Sequence, residues 1–347
     1  MTDVVRLGFI GCGTHSTNNL YPALKYARCR LAAVCDRDEA LARRNADVFG
    51  GRAVYTDADA MLDGEDLDGV LIVGPPAMHW ELGKRVLARG IPLFVEKPPA
   101  PDLAGAEELV AAARANGTFV MTGFMKRHGL TYRKARELIE SGRFTPAAGW
   151  FRYGHWANTD LPRMLHTMCI HPVDLAISFF GDPTTVHSTL YTSPRGALSL
   201  AVTLRFASGC WVQLTLDSSQ PRVQERVEIS GVMDGDNALI VVDNVQHMEL
   251  HTQGGRGTDL RRDLFEIDPD FDLADIRIWR PDFSIPNMAQ SRLFFQGFAM
   301  EVREFVDAIL EGREPCPGTE DTLKAMRVLD VIARNPDSGR EIPVPGA

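Results

Sequence analysis

The segment VVRLGFIGCGTHS, residues 4–16, decides the fold of the first part of this chain. Its apolar run ends in Gly11-Cys12-Gly13, which is typical of a strand that turns tightly into a helix. In the dinucleotide-binding fingerprint, the first glycine allows the turn, the second lets the backbone approach a pyrophosphate, and the third permits helix packing. Ser16 stands at the third position, where a small residue can substitute. The candidate cofactor-binding residues of this turn are Gly11, Gly13, Thr14 and His15.

Apolar runs and helical patterns alternate along the first 123 residues. Further short apolar runs follow at residues 31–35, 69–73, 92–95 and 119–122. Helical patterns separate them at residues 18–26, 39–49, 80–89 and 103–116, and Asp38 is expected to cap the second of these helices. Strands that alternate with helices predict a parallel, doubly wound sheet. We therefore expect an N-terminal Rossmann domain over residues 1–123.

Asp36 strengthens the prediction of a dinucleotide site. It lies after Gly11 at the end of the second predicted strand, where a carboxylate accepts hydrogen bonds from an adenosine ribose. The same carboxylate repels the 2′-phosphate of NADP, whereas the neighbouring Arg37 could pair with that phosphate. The sequence therefore favours NAD and leaves NADP open. The alternative is that Asp36 is only a solvated turn residue before a helix.

Composition and charge exclude several classes of protein. The chain has 347 residues, which suggests two domains, and 45% of them are hydrophobic, which is enough for sizeable cores. Its formal net charge of -9 and the lack of a long basic run disfavour a nucleic-acid partner. The first residues do not resemble a signal peptide, and no run reaches the ~18 apolar residues of a membrane helix. Six scattered cysteines without a Cys-x-x-Cys pair indicate neither a zinc site nor a disulfide framework, so we expect a reduced, cytoplasmic protein without metal.

The sequence changes character after Gly123. A helical pattern at residues 132–140 is followed, between residues 150 and 251, by runs suited to strands and joined by short turns. Consecutive strands joined this tightly pair antiparallel. Residues 124–347 are therefore predicted to form a second α/β domain with a large, open, mainly antiparallel sheet.

The end of the chain returns to helical patterns. Residues 254–290 show no strong periodicity and are expected to form a long ordered excursion or a lid. Two helices are predicted at residues 298–310 and 321–333, followed by an extended segment at 341–344.

Five motifs in this order resemble the Gfo/Idh/MocA oxidoreductases over nearly the whole chain. They are Gly11-Cys12-Gly13, Asp36-Arg37, Pro75-Pro76 with His79, Glu96-Lys97-Pro98 and His171-Pro172-Val173-Asp174. The resemblance implies a Rossmann domain followed by an α/β domain whose open sheet forms one wall of the active site and often an oligomer interface. It also implies a carbohydrate or polyol substrate, whose secondary alcohol is oxidised or whose ketone is reduced with a nicotinamide cofactor. We expect a homodimer or homotetramer.

Lys97 is the leading catalytic candidate. It follows an apolar run, so it lies at the carboxyl end of a strand, the edge where open α/β sheets bind ligands. In the family, the lysine of Glu-Lys-Pro acts with a histidine of the second domain, and the matching residues here are Lys97 and His171. The pair is expected to transfer the proton of a substrate hydroxyl. We also expect three residues near the cofactor, namely Glu96, Pro75 and His79. For His79 and His171 the alternative is a structural role.

The sequence departs from the family pattern just before His171. Many members carry an aspartate four residues before the histidine, whereas this chain has Thr167, which cannot act as an acid or base near neutral pH. On a continuous helix Thr167, His171 and Asp174 would share a face, although Pro172 complicates that helix. The adjacent His166 could replace the missing aspartate only poorly, because neighbouring residues on a helix point about 100° apart.

Several polar residues are expected to bind the substrate. Lys126 is expected to bind substrate, and the alternative is that it belongs to a solvated basic loop. His155-Trp156 is also expected to bind substrate, and the alternative is that Trp156 is an aromatic residue packed at a strand end. The expected substrate-binding residues are Lys126, His155, Trp156, Arg163, Thr167 and Asp174.

These features lead to three hypotheses of function. The leading one is a nicotinamide-dependent dehydrogenase or reductase that interconverts a secondary alcohol and a ketone on a sugar, cyclitol or sugar derivative. The second is an enzyme of the same chemistry that oxidises its substrate transiently, for elimination or epimerisation. The third is a cofactor-binding sensor or scaffold that has lost catalysis, which the replacement at Thr167 would permit.

Overall fold

The structure, a computed structural model of the chain, describes residues 4–154, 158–253, 274–280 and 291–346. The chain divides into two compact units, each assembled from three segments. The first contains Met1–Gly129, Pro162–Asp174 and Ala289–Arg334, and the second contains Leu130–Leu161, Leu175–Met288 and Asn335–Ala347. The division at residue 123 that the sequence favours stays a prediction about domains, because both compact units draw on separated parts of the chain.

The first unit is built on a six-stranded parallel sheet. Its strands are β1 Val5–Ile10, β2 Cys29–Cys35, β3 Ala53–Tyr55, β4 Gly69–Ile72, β5 Leu93–Glu96 and β6 Val120–Gly123. Their order, β3-β2-β1-β4-β5-β6, confirms the predicted doubly wound sheet. Every residue of β4 and β5 is buried, as expected for parallel strands that are covered on both faces. The sequence pattern missed β3, which is short and only half-buried.

Helices connect these strands. The first connection is irregular, because a π-helical turn at Ser16–Leu20 runs through Tyr21–Ala23 into a 3-10 turn at Leu24–Tyr26. Asp38 accepts hydrogen bonds from the backbone N–H groups of Ala40 and Leu41, so it caps the next helix as predicted. The longer helices of this unit are Glu39–Phe49, Ala58–Gly64, Pro76–Ala88, Leu103–Ala115, Phe298–Glu311 and Asp321–Arg334. Further helical pieces of the chain are Met125–His128, Leu130–Glu140, Leu161–Met164, Leu165–Cys169, Ile170–Phe180 and Ser291–Phe295.

The last two long helices belong to the core of the first unit. The fully buried ring of Phe305 lies edge-on to Phe94 of β5 and to Phe119, with centroid separations of 5.9 Å in both cases. The hydroxyl of Thr322 lies 3.0 Å from that of Thr122 in β6, which connects the Asp321–Arg334 helix to the same sheet. These contacts explain why late segments of the chain group with its first strands.

Gly297 sets how closely the Phe298–Glu311 helix approaches the segment that follows β6. Its φ is +99°, and a Cβ atom would lie 1.8 Å from the backbone oxygen of Met125. Gly312, at the other end of the helix, has a φ of +62°, but a Cβ atom there would meet nothing within 4 Å. Both positions favour glycine by conformation, and Gly297 is also required by space.

Replacing Gly297 with alanine should therefore destabilise the protein more than replacing Gly312. G312A places alanine in the left-handed region at a cost of about 1–2 kcal/mol. G297A adds a steric clash with Met125, so we expect its free energy of unfolding to fall by about 1–3 kcal/mol more. Urea denaturation of both variants measures the difference, and equal losses would contradict the packing described for Gly297.

The second unit is built on a nine-stranded sheet. Its strands are β7 Phe144–Gly154, β8 Pro183–Thr192, β9 Leu198–Phe206, β10 Trp211–Asp217, β11 Gln224–Met233, β12 Asp236–Asp243, β13 His247–Gln253, β14 Ala274–Trp279 and β15 Ile342–Pro343. Their order is β14-β13-β12-β11-β7-β10-β9-β8-β15. The central strands β7 and β10 pair in parallel and the other neighbours pair antiparallel, which confirms the predicted mainly antiparallel sheet.

The two faces of the nine-stranded sheet differ in burial. Leu200, Val202 and Leu204 of β9 alternate with more exposed residues and are themselves fully buried. On the opposite face, Trp150 of β7 is 42% exposed and meets Trp211 of β10 edge-on, with ring centroids 5.0 Å apart. This face therefore carries large apolar side chains that this chain leaves partly exposed.

Part of the sequence-based prediction falls on residues that the structure does not describe. The expected excursion or lid at 254–290 lies largely outside the described residues, and within it residues 274–279 form β14, a strand that the sequence pattern missed. All six cysteines are free thiols. Among the described residues, no helix combines the length and apolarity needed to cross a bilayer.

Candidate active site

The two glycines of the turn after β1 differ in the space around them, which is crowded at Gly11 and open at Gly13. Gly11 has a φ of +103°, and a Cβ atom would lie 2.0 Å from the backbone oxygen of Val73, which follows β4. Gly13 is exposed, and a Cβ atom there would meet nothing within 4 Å. Bare, accessible backbone is what a pyrophosphate requires at this position, so the turn fits a dinucleotide. Thr14 and Pro75 are exposed at the ends of β1 and β4.

Asp36, directly after β2, is tied to this turn. Its Oδ2 accepts a hydrogen bond from the backbone N–H of Cys12 at 2.7 Å, and its Oδ1 accepts one from the N–H of Asp38 at 2.9 Å. Each carboxylate oxygen keeps a second lone pair, through which a ribose hydroxyl can donate. The Arg37 side chain is exposed. The side chain of Asp36 thus stands where the sequence predicts a ribose partner.

Glu96 ends β5 and is only 3% exposed. Its Oε1 lies 3.1 Å from Nε2 of His15, and its Oε2 accepts a hydrogen bond from the backbone N–H of Lys97 at 3.0 Å. Burial acts to raise the pKa of Glu96, but the hydrogen bond and charge of His15 and the charge of Lys97 outweigh burial, so the net pKa is lowered. Glu96 is therefore an anion that orients His15 and the strand end.

His79 is fully buried, and backbone groups use both of its ring nitrogens. Its Nε2 accepts a hydrogen bond from the N–H of Gly74 at 2.9 Å, and its Nδ1 donates to the backbone oxygen of Pro98 at 2.8 Å. This pattern requires a neutral ring with its proton on Nδ1, and burial accordingly lowers the pKa of His79. His79 thus joins the loops after β4 and β5, and its predicted place near the cofactor stays a prediction.

Lys97 directly follows β5, and its side chain is partly buried. Burial lowers the pKa of its ammonium group; the charge of Lys126 acts in the same direction, whereas Glu96 and Glu301 oppose the shift. Lys126 is 7% exposed, and its Nζ donates a hydrogen bond to Oε1 of Gln296 at 3.4 Å. A lowered pKa makes a lysine at this edge of the sheet readier to give up its proton and so better suited to general acid/base catalysis.

A buried ion pair connects the end of β6 to the helix that carries His171. Arg127 donates three hydrogen bonds of 2.6 to 3.1 Å to the carboxylate of Asp174, which is 1% exposed. Nη1 of Arg127 also lies 3.3 Å from the carboxylate of Asp321. The carboxylate of Asp174 is thus buried and bonded to Arg127, and its predicted substrate contact stays a prediction. Asp174 also fixes the helix on which His171 lies.

The helix before His171 changes its pitch. Leu165–Cys169 forms a π-helical turn, which continues into the α-helix Ile170–Phe180. Thr167 is exposed and its hydroxyl donates to the backbone oxygen of Arg163 at 2.7 Å, whereas His171 is half-buried and Asp174 fully buried. A π-helical turn takes more residues than an α-helical turn. Thr167 and Asp174 therefore do not share the face that a continuous α-helix predicts.

Of two further buried residues of this unit, sequence reasoning left the role of Arg127 open and missed Glu301. Arg127 belongs to a basic tripeptide that the sequence leaves undecided between substrate binding and a solvated loop. Glu301 is fully buried in the first turn of the Phe298–Glu311 helix. The signal that could have found it is its position on the apolar stripe that includes Phe298 and Phe305. His155 and Trp156 lie outside the described residues.

The glycine turn, Asp36 and the partly buried Lys97 are together typical of a Rossmann-type oxidoreductase. Residues 5–124 match the family described as an oxidoreductase family with an NAD-binding Rossmann fold, and residues 142–345 match the C-terminal alpha/beta domain of the same family. The chain belongs to this family, the Gfo/Idh/MocA oxidoreductases. The resemblance seen in the sequence and the NAD-binding character of the first domain are thereby confirmed.

Known relatives are similar over most of their length. The chain is 27% identical over 332 residues to inositol 2-dehydrogenase of Streptomyces avermitilis, covering 91% of this chain and 87% of that protein. It is 24% identical over 349 residues to D-apiose dehydrogenase of Paraburkholderia graminis, covering 96% and 88%. Among solved structures, a dehydrogenase from Chromobacterium violaceum superposes with a TM-score of 0.82 at 25% identity, covering 96% of this chain and 95% of that one.

Asp174→Asn should destabilise the protein strongly. The variant leaves the charge of Arg127 buried beside a neutral amide, and breaking a buried pair in this way costs about 3–5 kcal/mol. Glu320→Gln is the control, because it breaks an exposed ion pair with Arg114 and should cost no more than about 1 kcal/mol. Urea denaturation at neutral pH measures both free energies of unfolding. Losses of similar size would show that the Arg127 pair does not anchor this region.

Proposed function

We propose that the protein is an NAD(P)-dependent dehydrogenase or reductase that interconverts a secondary alcohol and a ketone on a sugar, cyclitol or sugar derivative. The observation that carries the proposal is Lys97, which lies at the ligand-binding edge of the parallel sheet with a pKa lowered by burial. The likeness to proteins named as inositol and apiose dehydrogenases supports the substrate class.

Lys97 and His171 are proposed to handle the proton. When bound, the nicotinamide supplies the acceptor or donor of the hydride. Nζ of Lys97 hydrogen-bonds the reacting oxygen and takes the hydroxyl proton during oxidation, or returns it during reduction. His171, whose helix is fixed through Asp174 and Arg127, serves as a second acid/base or orients the substrate. Glu96 holds the backbone at Lys97 in place.

The same proposal assigns binding roles to the strand ends. Asp36 favours NAD, because the 2′-phosphate of NADP would approach a carboxylate, and the exposed Arg37 keeps NADP possible. The residues proposed to hold the cofactor are Gly11, Gly13, Thr14, His15, Asp36 and Pro75. The residues proposed to bind substrate hydroxyl or acidic groups are Lys126, Arg163 and Thr167, together with His155 and Trp156.

Lys97→Ala should abolish turnover while cofactor binding persists. Loss of a general acid/base group lowers kcat by about 10²–10⁴-fold. The assay follows NADH or NADPH formation over a panel of polyols, cyclitols and aldoses, and fluorescence titration gives the Kd of each reduced cofactor. Lys134→Ala is the control, because Lys134 is an exposed lysine paired with Glu137, and it should match the wild type. Full activity of K97A would overturn the proposal.

Two other outcomes of this assay would favour the alternative functions. Substrate conversion without accumulation of reduced cofactor would indicate transient oxidation, because the hydride then returns to the substrate. Tight cofactor binding without conversion of any compound in the panel would indicate a sensor or scaffold.

We also propose a homo-oligomer, either a dimer or a tetramer, that covers the exposed face of the nine-stranded sheet. Trp150 and Trp211 form an aromatic pair on this face, and Trp150 is 42% exposed. At the edge of the sheet, β14 exposes Ile276 and Ile278, which are 49% and 54% exposed. Clustered large apolar side chains on a folded surface are typical of protein interfaces.

The free thiols of all six cysteines also support the expected cytoplasmic location.

Trp150→Glu should reduce the mass of the particle in solution. A carboxylate on the proposed contact face would have to be buried without a partner, which disfavours association. Light scattering during size-exclusion chromatography measures the mass. Val48→Glu is the control, because Val48 is 66% exposed on the Glu39–Phe49 helix of the first unit and is not part of this sheet, and the mass of this variant should equal that of the wild type. A monomeric wild type, or an unchanged mass for W150E, would contradict the proposed interface.

A further inference from the structure

Side chains hold both polar backbone groups of Cys12, the middle residue of the glycine turn. The N–H of Cys12 donates to Oδ2 of Asp36 at 2.7 Å. Its carbonyl oxygen accepts a hydrogen bond from Oγ1 of Thr17 at 3.2 Å and another from Nη2 of Arg44 at 3.1 Å. Cys12 itself is 0% exposed. The peptide groups on either side of Cys12 are therefore fixed in orientation.

The two donors to the Cys12 carbonyl are linked by a third residue, Asn45, which is fully buried on the Glu39–Phe49 helix. Nδ2 of Asn45 donates to Oγ1 of Thr17 at 2.9 Å, and Oδ1 of Asn45 accepts from Nη2 of Arg44 at 3.1 Å. A buried polar network whose members satisfy one another is rigid. We call Thr17, Arg44 and Asn45 the carbonyl clamp.

Arg44 directs its guanidinium at the turn although the residue is exposed. The adjacent Arg43 forms an ion pair with Glu39 one helical turn earlier, as exposed helical residues commonly do. Arg44 has no carboxylate partner in the described part of the chain, and it donates to a backbone oxygen and an amide oxygen instead. The helix does not need these two contacts, which point to a role at the turn.

The planarity of the peptide group carries the effect of the clamp to Gly13. The Cys12–Gly13 peptide is trans, so the N–H of Gly13 points opposite to the Cys12 carbonyl. Because that carbonyl is held on the side of the clamp, this N–H faces the other side of the turn. Gly13 is exposed, and its N–H has no acceptor among the residues that the structure describes. The clamp thus presents an available backbone donor.

Ser16 acts in the same way on the next peptide group. Its Oγ donates to the carbonyl oxygen of Gly13 at 3.0 Å, and the backbone N–H of Thr17 donates to the same oxygen at 3.0 Å. The N–H of Thr14 therefore points away from Ser16. Ser16 is 1% exposed and stands where the dinucleotide fingerprint has its third glycine. The departure from the fingerprint thus adds a hydroxyl that holds the turn.

We propose that Arg44 is a positioning residue for the cofactor, which orients the Cys12–Gly13 peptide so that the N–H of Gly13 donates to the pyrophosphate of the dinucleotide. The inference rests on the cofactor binding of the proposed function and not on its catalytic step. Backbone N–H groups at a glycine-rich turn are suitable donors for a phosphate anion. A donor that is already oriented loses less conformational freedom when the anion binds. Arg44 acts through the backbone, without contact with the cofactor.

Arg44→Ala should weaken the binding of ligands that carry the pyrophosphate, and of these alone. Loss of the hydrogen bond to the Cys12 carbonyl should raise the Kd of NADH and of ADP-ribose by about 3- to 10-fold. The Kd of adenosine, which has no pyrophosphate, should stay unchanged. Fluorescence titration gives the Kd of NADH, and competition against NADH gives the other two. A structural role alone would affect all three ligands alike, or none of them.

Arg43→Ala is the matched control, because Arg43 is the adjacent exposed arginine and pairs with Glu39. It should bind all three ligands as the wild type does. Thermal unfolding checks that both variants are folded. An unchanged Kd of ADP-ribose in R44A, or an equal loss for adenosine, would overturn the proposal.

Salt dependence separates the orientation of the peptide from a direct attraction between the Arg44 charge and the pyrophosphate. Salt screens an attraction through solvent, whereas it does not change how a peptide group is held. The ratio of the Kd of ADP-ribose in R44A to that in the wild type should therefore be the same at low and high salt. A ratio that falls to one at high salt would overturn the positioning role. If the ratio behaves as expected but no polyol is oxidised, the proposed reaction fails while the role of Arg44 stands.

Discussion

The arrangement of the site depends on the buried ion pair between Arg127 and Asp174. A guanidinium and a carboxylate that leave water must satisfy each other closely, because an unpaired charge in this position would cost several kcal/mol. The three hydrogen bonds of the pair and the nearby Asp321 meet that demand. The bonds join the segment after β6 to the His171 helix and to the start of the Asp321–Arg334 helix. The pair therefore holds these two helices to the segment that follows β6.

Burial also accounts for the chemistry attributed to the edge of the sheet. A low-dielectric surrounding favours the neutral form of every titratable group, so it weakens acids and bases alike. Glu96 escapes this effect through His15 and the backbone N–H of Lys97, and it is ionised. Lys97 and Glu301 do not escape it, and their pKa values move in opposite directions. One physical cause thus acts on all three groups, and of the three only Glu96 has partners that reverse its effect.

The fold was largely predictable because buried parallel strands are short apolar runs that end in recognisable residues. Lys97 could be placed at the ligand-binding edge from the run that precedes it. The strand β3 has three half-buried residues and β14 is isolated within an aperiodic segment, so neither had a pattern to recognise. The expectation that Thr167 and Asp174 share a helical face failed for a different reason. Helical periodicity assumes a constant pitch, and the π-helical turn at Leu165–Cys169 breaks that assumption.

The discontinuity of the first unit has a consequence for the order in which the protein matures on the ribosome. Domains generally fold as units during synthesis, with the N-terminal one first. Here the aromatic cluster of Phe94 and Phe119 is completed by Phe305, which emerges only after all but the last strand of the second sheet. The Rossmann sheet is translated first, yet its core closes only when the chain is nearly complete. Until then the apolar side chains that Phe305 covers lack this partner, and exposed apolar surface of this kind favours aggregation during folding.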